Sequence, residues 1–149
     1  MNTDSANRRT HCVFRHGSQW LALPATSVRE ALPSPPLVRV PATPARFAGL
    51  CHLRSEFIPV LNLNDEGQNG SDLQDRLMLV VDDSDGCWAV LVDEVSSLAN
   101  LEFSDAPESD TAATTAVIGW AAHNSNVVQI LDPVRFRELV EQELESVKP

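Results

Sequence analysis

Two cysteines of the chain have a histidine beside them, His11-Cys12 and Cys51-His52. These residue types build thiolate–imidazole pairs and zinc sites. The spacing works against both uses. Each couple lies in an apolar, strand-like stretch, where adjacent side chains point to opposite faces, so neither can share a proton or a metal. The other two histidines, His16 and His123, complete no i, i+4 pair. Asp82, Asp83 and Asp85 ahead of Gly86 carry the oxygens of a calcium loop. The later glutamate ligand is missing and the flanks read as strands, so a hairpin turn is expected instead. No glycine-rich phosphate loop follows a strand, and no Gly-x-Ser-x-Gly elbow occurs. The expectation is a binding module rather than an enzyme, without cofactor or metal.

Charge inside apolar neighbourhoods is the remaining chemistry. Glu30 and Arg54 each interrupt such a stretch and must reach solvent or a counter-ion. They could pair with each other across a groove. Asp93, after Leu91-Val92, is expected to bond nearby backbone amides. The segment from Phe47 to Leu63 holds Arg54 in a short polar turn between two apolar runs, with Pro59 in the second. That pattern predicts two short strands and a tight connection.

The elements that position these residues are short strands. With 149 residues the chain makes one domain, or two very small subdomains sharing a core. Hydrophobic residues make up 43%, enough for a packed interior, and with no tyrosine that interior is built from Val, Leu, Ala and Ile. Ten prolines and six glycines suit short strands better than long helices. The formal charge of −10 repels phosphate backbones and anionic headgroups, which excludes nucleic acid as a partner. There is no apolar run of about 18 residues, so no membrane insertion is expected. The polar start, Met1 to Thr10, does not read as a secretory signal, and a cytoplasmic location follows. The three cysteines, Cys12, Cys51 and Cys87, then act as small hydrophobes.

Residues 1–10 read as a disordered tail and 146–149 as a C-terminal tail. Between them, 11–145 form the domain, divided near 64–76 by a polar stretch, 64–74, that reads as a mobile loop. Cys12-Val13-Phe14 and Trp20 to Leu23 form a hairpin. Val28 to Ala31 and Leu37 to Val40 are short strands, and Ala45 to Ala48 a single helical turn. Leu77 to Val81 and Cys87 to Val92 form a second hairpin, and Val117 to Ala122 with Val127 to Leu131 a last one. Trp20 and Trp88 hold similar places, which suggests a weak internal duplication, although two ordinary hairpins would give the same plan. Trp20, Trp88 and Trp120 are expected in the core or between barrels. Asp132 and Pro133 suit the start of a helix to about Glu145. Its apolar stripe of Val134, Phe136, Leu139, Val140 and Leu144 is expected to dock on its own domain. Roughly ten short strands suggest small closed barrels.

The Phe47–Leu63 pattern resembles the signature of the CheW-like family of chemotaxis coupling proteins. There a Gly-x-x-Asn-Leu-Arg-Gly turn precedes an apolar run with Pro-Val. Gly49, Leu53, Arg54, Pro59, Val60 and Leu63 stand in the right order. His52 replaces the usual Asn and Ser55 the usual Gly. Val28-x-Glu30, Leu91-Val92-Asp93-x-Val95, Ile118-Gly119 and Ile130-Leu131-Asp132-Pro133 extend the resemblance over about Val13 to Val140. It implies a mainly β fold: two small five-stranded SH3-like β-barrels packed side by side, with a C-terminal helix.

It also implies a non-catalytic adaptor in two-component signalling. One face would bind the regulatory domain of a histidine kinase, and a groove would bind the cytoplasmic tip of a chemoreceptor. Glu30 and Arg54 would set register there, with Val28, Val38, Val40, Leu53 and Val60 as walls. The alternative is a divergent free-standing barrel that senses a small ligand or peptide outside chemotaxis arrays. No receiver or phosphotransfer segment is visible, and the sequence names neither kinase, receptor, signalling output nor oligomeric state.

Overall fold

A computed structural model of the chain describes residues 8–43, 46–63, 76–83, 86–102, 104–105 and 116–146. The expected mobile loop at 64–74 and the tip of the aspartate-rich turn lie outside them, as do residues 1–7 and 147–149.

Among the described residues, eleven strands and one long helix follow in order: β1 (Arg8–His16), β2 (Gln19–Pro24), β3 (Val28–Pro33), β4 (Phe47–Leu53), β5 (Glu56–Leu61), β6 (Leu77–Asp83), β7 (Gly86–Val92), β8 (Glu94–Glu102), β9 (Ser104–Asp105), β10 (Val117–His123), β11 (Asn126–Leu131) and α1 (Pro133–Ser146). They form two sheets, in the orders β8-β1-β2-β11-β10-β9 and β3-β6-β7-β5-β4. Setting aside the two-residue β9, each is a five-stranded SH3-like barrel. The structure starts β1 at Arg8, not Cys12, because β8 is long enough to pair Arg8 with Glu102 and Arg9 with Leu101. Residues 8–10 are therefore strand, not tail.

The two barrels are duplicates. In β4–β5 Phe47 pairs with Leu61, the register shifts, and Gly49 pairs with Val60. In β10–β11 Val117 pairs with Leu131, the register shifts, and Gly119 pairs with Ile130. The third strands match too: Val28 opposes Val81 and Glu30 opposes Val80 across a bulge, as Val95 opposes Phe14 and Ser97 opposes Val13. Sheet membership is exchanged, however. β3 pairs with β6 rather than β1, and β8 with β1 rather than β6. Each barrel so takes its first hairpin from one half of the chain and its other three main strands from the other half. The expected division near 64–76 falls between β5 and β6, two strands of one sheet.

The matched registers also correct the tryptophan equivalence. Arg15 opposes Trp20 in the first hairpin, as Asp82 opposes Cys87 in the second, so Trp20 corresponds to Cys87 and Trp88 to Leu21. A one-residue slip reverses the face. Trp88 is buried between the barrels, and Trp20 packs on the interior of the first. Trp120, expected in the core, is 39% exposed on the outer face of β10.

Three apolar clusters hold the molecule. Val13, Ala22, Leu101, Ala121, Val128 and Ile130 fill the first barrel. Cys51, Ile58, Val60, Met78, Val80, Ala89 and Leu91 are among those that fill the second. A third core joins the barrels through Phe14, Leu23, Leu79, Val81, Trp88 and Val92, closed by Phe136 and Val140 of α1. Phe136 and Val140 of the α1 stripe thus dock on their own domain, with the Phe136 and Trp88 rings 5.7 Å apart, while the Leu144 side chain lies outside those described. Its start is fixed by Asp132, whose carboxylate accepts from the Val134 amide at 3.0 Å, with Pro133 at the first position.

Candidate functional site

The turn joining β4 to β5 consists of Arg54 and Ser55, with φ of 49° and 73°. Both central residues are left-handed, as in a type I′ hairpin, the form that matches strand twist. Positive φ throws Arg54 off the strand axis towards β3. There the bulge at Arg29 re-aims the edge strand so that Glu30 faces the turn. Arg54 donates through both terminal nitrogens to the two carboxylate oxygens of Glu30, Nη2 to Oε1 at 2.8 Å. This bidentate pair links the two ends of the β3-β6-β7-β5-β4 sheet. The Arg54 hydrogen bond holds the Glu30 carboxyl below its ordinary range, and Glu30 raises Arg54 in return. The pair is not sequestered: the side chains are 63% and 26% exposed.

Of the expected walls, Val38 is 57% exposed and Val40 half-buried. Leu37 to Val40 is not the strand expected. Only Val38 pairs, exchanging two backbone hydrogen bonds of 2.8 Å with Leu50 on β4. Prolines at 33, 35, 36 and 41 confine pairing to that point, since each lacks a donor. Gly49 permits the approach, because a Cβ there would lie 2.7 Å from the Val38 carbonyl oxygen. No helical turn precedes it over the described residues, as Phe47 already pairs in β4. Leu53 packs half-buried on the second barrel's core, and Val28 on the core between barrels. Val60 is a correction: its side chain is wholly buried inside the second barrel and can meet no partner.

One exposed residue that sequence reasoning passed over, Phe57, joins this rim beside His52. Phe57 is 65% exposed and stacks on His52 across the hairpin, ring centroids 4.8 Å apart. Strand alternation could have found it, since Ile58 and Val60 point inward and Phe57 must point out. The rim is therefore a salt-bridged charge pair with the Phe57–His52 stack on the same hairpin, and Val38 stands further along β4 at Leu50. In the duplicate barrel Ser97 and Asn124 stand where Glu30 and Arg54 stand, so the ion pair belongs to one barrel.

The histidine–cysteine couples point apart. Cys51 is in the second barrel's core while His52 is exposed. Cys12 enters the core between barrels, and His11 is buried with Nδ1 3.0 Å from the Arg9 carbonyl oxygen. Burial lowers the pKa of His11 and His16 and raises those of all three thiols. Asp93 accepts from the Gly17 amide at 2.6 Å and faces Arg76 at 3.4 Å. Its role is to bond a backbone amide, one far away in the chain rather than nearby. Among the described residues no three His, Cys, Asp or Glu side chains converge as metal ligands, and no helix is long and apolar enough to cross a membrane.

A family model for the CheW-like domain matches residues 10–140. Among solved structures, the chain is similar to the crystal structure of the scaffolding protein TtCheW from Thermoanaerobacter tengcongensis. The TM-score is 0.69 at 21% identity, covering 83% of this chain and 84% of the other. No curated protein matches.

Proposed function

Since the chain belongs to the family of CheW-like domains, we propose that it is a non-catalytic adaptor of chemotaxis-type signalling, coupling a chemoreceptor tip to the regulatory domain of a histidine kinase. The observation that carries this reading is the exposed Glu30–Arg54 clasp. An exposed ion pair adds little to folding, so its use lies in partner choice and register. Val38, Phe57 and Leu53 beside it supply apolar contacts for one face of a receptor helix. Val60 and Val28 support that rim from below. The scaffolding role named for TtCheW points the same way. Coupling comes from holding two partners in one geometry, and no bond is made or broken.

The test is calorimetry of the whole chain against the kinase regulatory domain and a receptor cytoplasmic fragment from the same genome. Arg54→Ala and Glu30→Ala are expected to bind the kinase domain as the parent does and to lose the receptor fragment by tenfold or more. Receptor binding unchanged in both variants would remove the clasp from the interface. Absence of any kinase binding by the parent chain would refute the coupling role.

A further inference from the structure

The two halves of the chain interlock through the exchanged strands, and we infer that two copies trade halves to form a swapped dimer. Strands β1 to β5 lie before residue 64, and β6 to α1 follow residue 75. Among the described residues, four ladders join one half to the other: β1 with β8, β2 with β11, β3 with β6 and β5 with β7. The pairings inside a half are the hairpins and the short β9–β10 contact. Phe136 and Val140 of the second half share a core with Phe14 and Leu23 of the first. Asp93 of the second half accepts from the Gly17 amide of the first. All three cysteines are free, so residues 64–75 are the one covalent connection between the halves.

The partner that fits either half is therefore the complementary half, and a second copy carries it. In the swapped arrangement each globule takes β1 to β5 from one copy and β6 to α1 from the other. Every ladder and core contact is kept, and only the connection through residues 64–75 passes between globules. Neither state gains contacts over the other, so concentration decides. A short connection presents a chain's own half at an effective concentration on the order of millimolar. Dilute folding thus yields monomer, and folding at comparable protein concentration yields dimer. Interconversion has to open four ladders, which amounts to unfolding, so either product persists after dilution. The charge of −10 per chain opposes the approach of two copies, and salt favours the dimer by screening it. Glu30 and Arg54 come from the same half, so each globule keeps its own clasp. Under the adaptor reading the dimer presents two receptor sites joined together.

Thr10 and Asn100 provide the test. They oppose each other across the β1–β8 ladder, one in each half, and both are exposed. Opposed residues of an antiparallel ladder lie within disulfide range. The full chain with Thr10→Cys, Asn100→Cys and Cys87→Ser is unfolded in urea with reductant. It is refolded at about micromolar and at about millimolar protein, brought to one dilution, oxidised, and read by light scattering and on non-reducing denaturing gels. The micromolar sample is expected to be monomer with its bond inside one chain. The millimolar sample is expected to contain dimer whose bonds join two chains, in a fraction that rises with salt during refolding. The control pair, Ala122→Cys with Val127→Cys in the same Cys87→Ser chain, is exposed and opposed within one half, so its bond should stay inside the chain at both concentrations. A millimolar sample that is monomeric overturns the inference. So does a dimer that falls apart on the gel into internally bonded chains, and so do bonds between chains that form as readily in the control pair.

Discussion

Replacing Ser55 by glycine should make the protein more stable although it removes a side chain. Ser55 has φ of 73°, in the left-handed region. An L-residue there costs about 1–2 kcal/mol through the approach of Cβ to the carbonyl oxygen. Glycine escapes that cost but brings about 0.5–1 kcal/mol of extra entropy to the unfolded chain. The net gain for Ser55→Gly is about 0.5–1 kcal/mol. The duplicate hairpin provides an internal control, because Ser125 has φ of 65° at the matching position. Ser125→Gly should give a gain of the same size. The turns sit on different barrels, so the double variant should gain the sum. Urea unfolding reads this as a higher midpoint at unchanged slope, and in calorimetric scans it amounts to about 2–4 °C in Tm per kcal/mol at this chain length. A lower midpoint for either single variant would refute the strain argument for both turns.

Gly49→Ala should act in the opposite direction. Its φ of 149° and the 2.7 Å approach of a built Cβ to Val38 force the Leu37–Val38 segment off β4. The cost should be about 2 kcal/mol or more, read as a lower urea midpoint with faster amide exchange at Val38 and Leu50; an unchanged midpoint would contradict it. Stability should also fall on mild acidification. Burial lowers the folded-state pKa of His11 and of His16, the latter with help from Arg76. The unfolded chain then binds more protons below about pH 6.5, so this stability is complete above that pH and is lost as pH falls towards the lowered values. His11→Gln and His16→Gln should each flatten the slope of urea midpoint against pH between about 7 and 5, and a slope unchanged in both would sink the assignment.

The local parts of this fold were legible in the sequence, and the pairing between distant parts was not. The β4–β5 and β10–β11 hairpins follow from alternation around a polar turn. The helix start follows from Asp132-Pro133. The Glu30–Arg54 pair was anticipated because a charge in an apolar stretch needs a counter-ion, and the structure brings the two together. The exchange of β3 and β8 leaves no local trace, since either strand could pair with either hairpin by its own pattern. Trp20 and Trp88 misled by similarity of type, where register decides the face. The family resemblance places Val60 among the groove walls, yet two-residue alternation from Ile58 puts it inside.

The exchange of third strands has a consequence for biosynthesis. The hairpin of β1 and β2 leaves the ribosome first, but the strands that complete its barrel, β8, β10 and β11, end at Leu131. The barrel begun first therefore closes last, and its early hairpin lacks its own barrel partners until β8, β10 and β11 have emerged. Closure over such sequence distances is slow. Cut between Leu63 and Arg76, the gene would encode two fragments, neither owning a whole barrel. Their joint recovery of structure would serve as a reporter of encounter, each fragment being the missing template of the other.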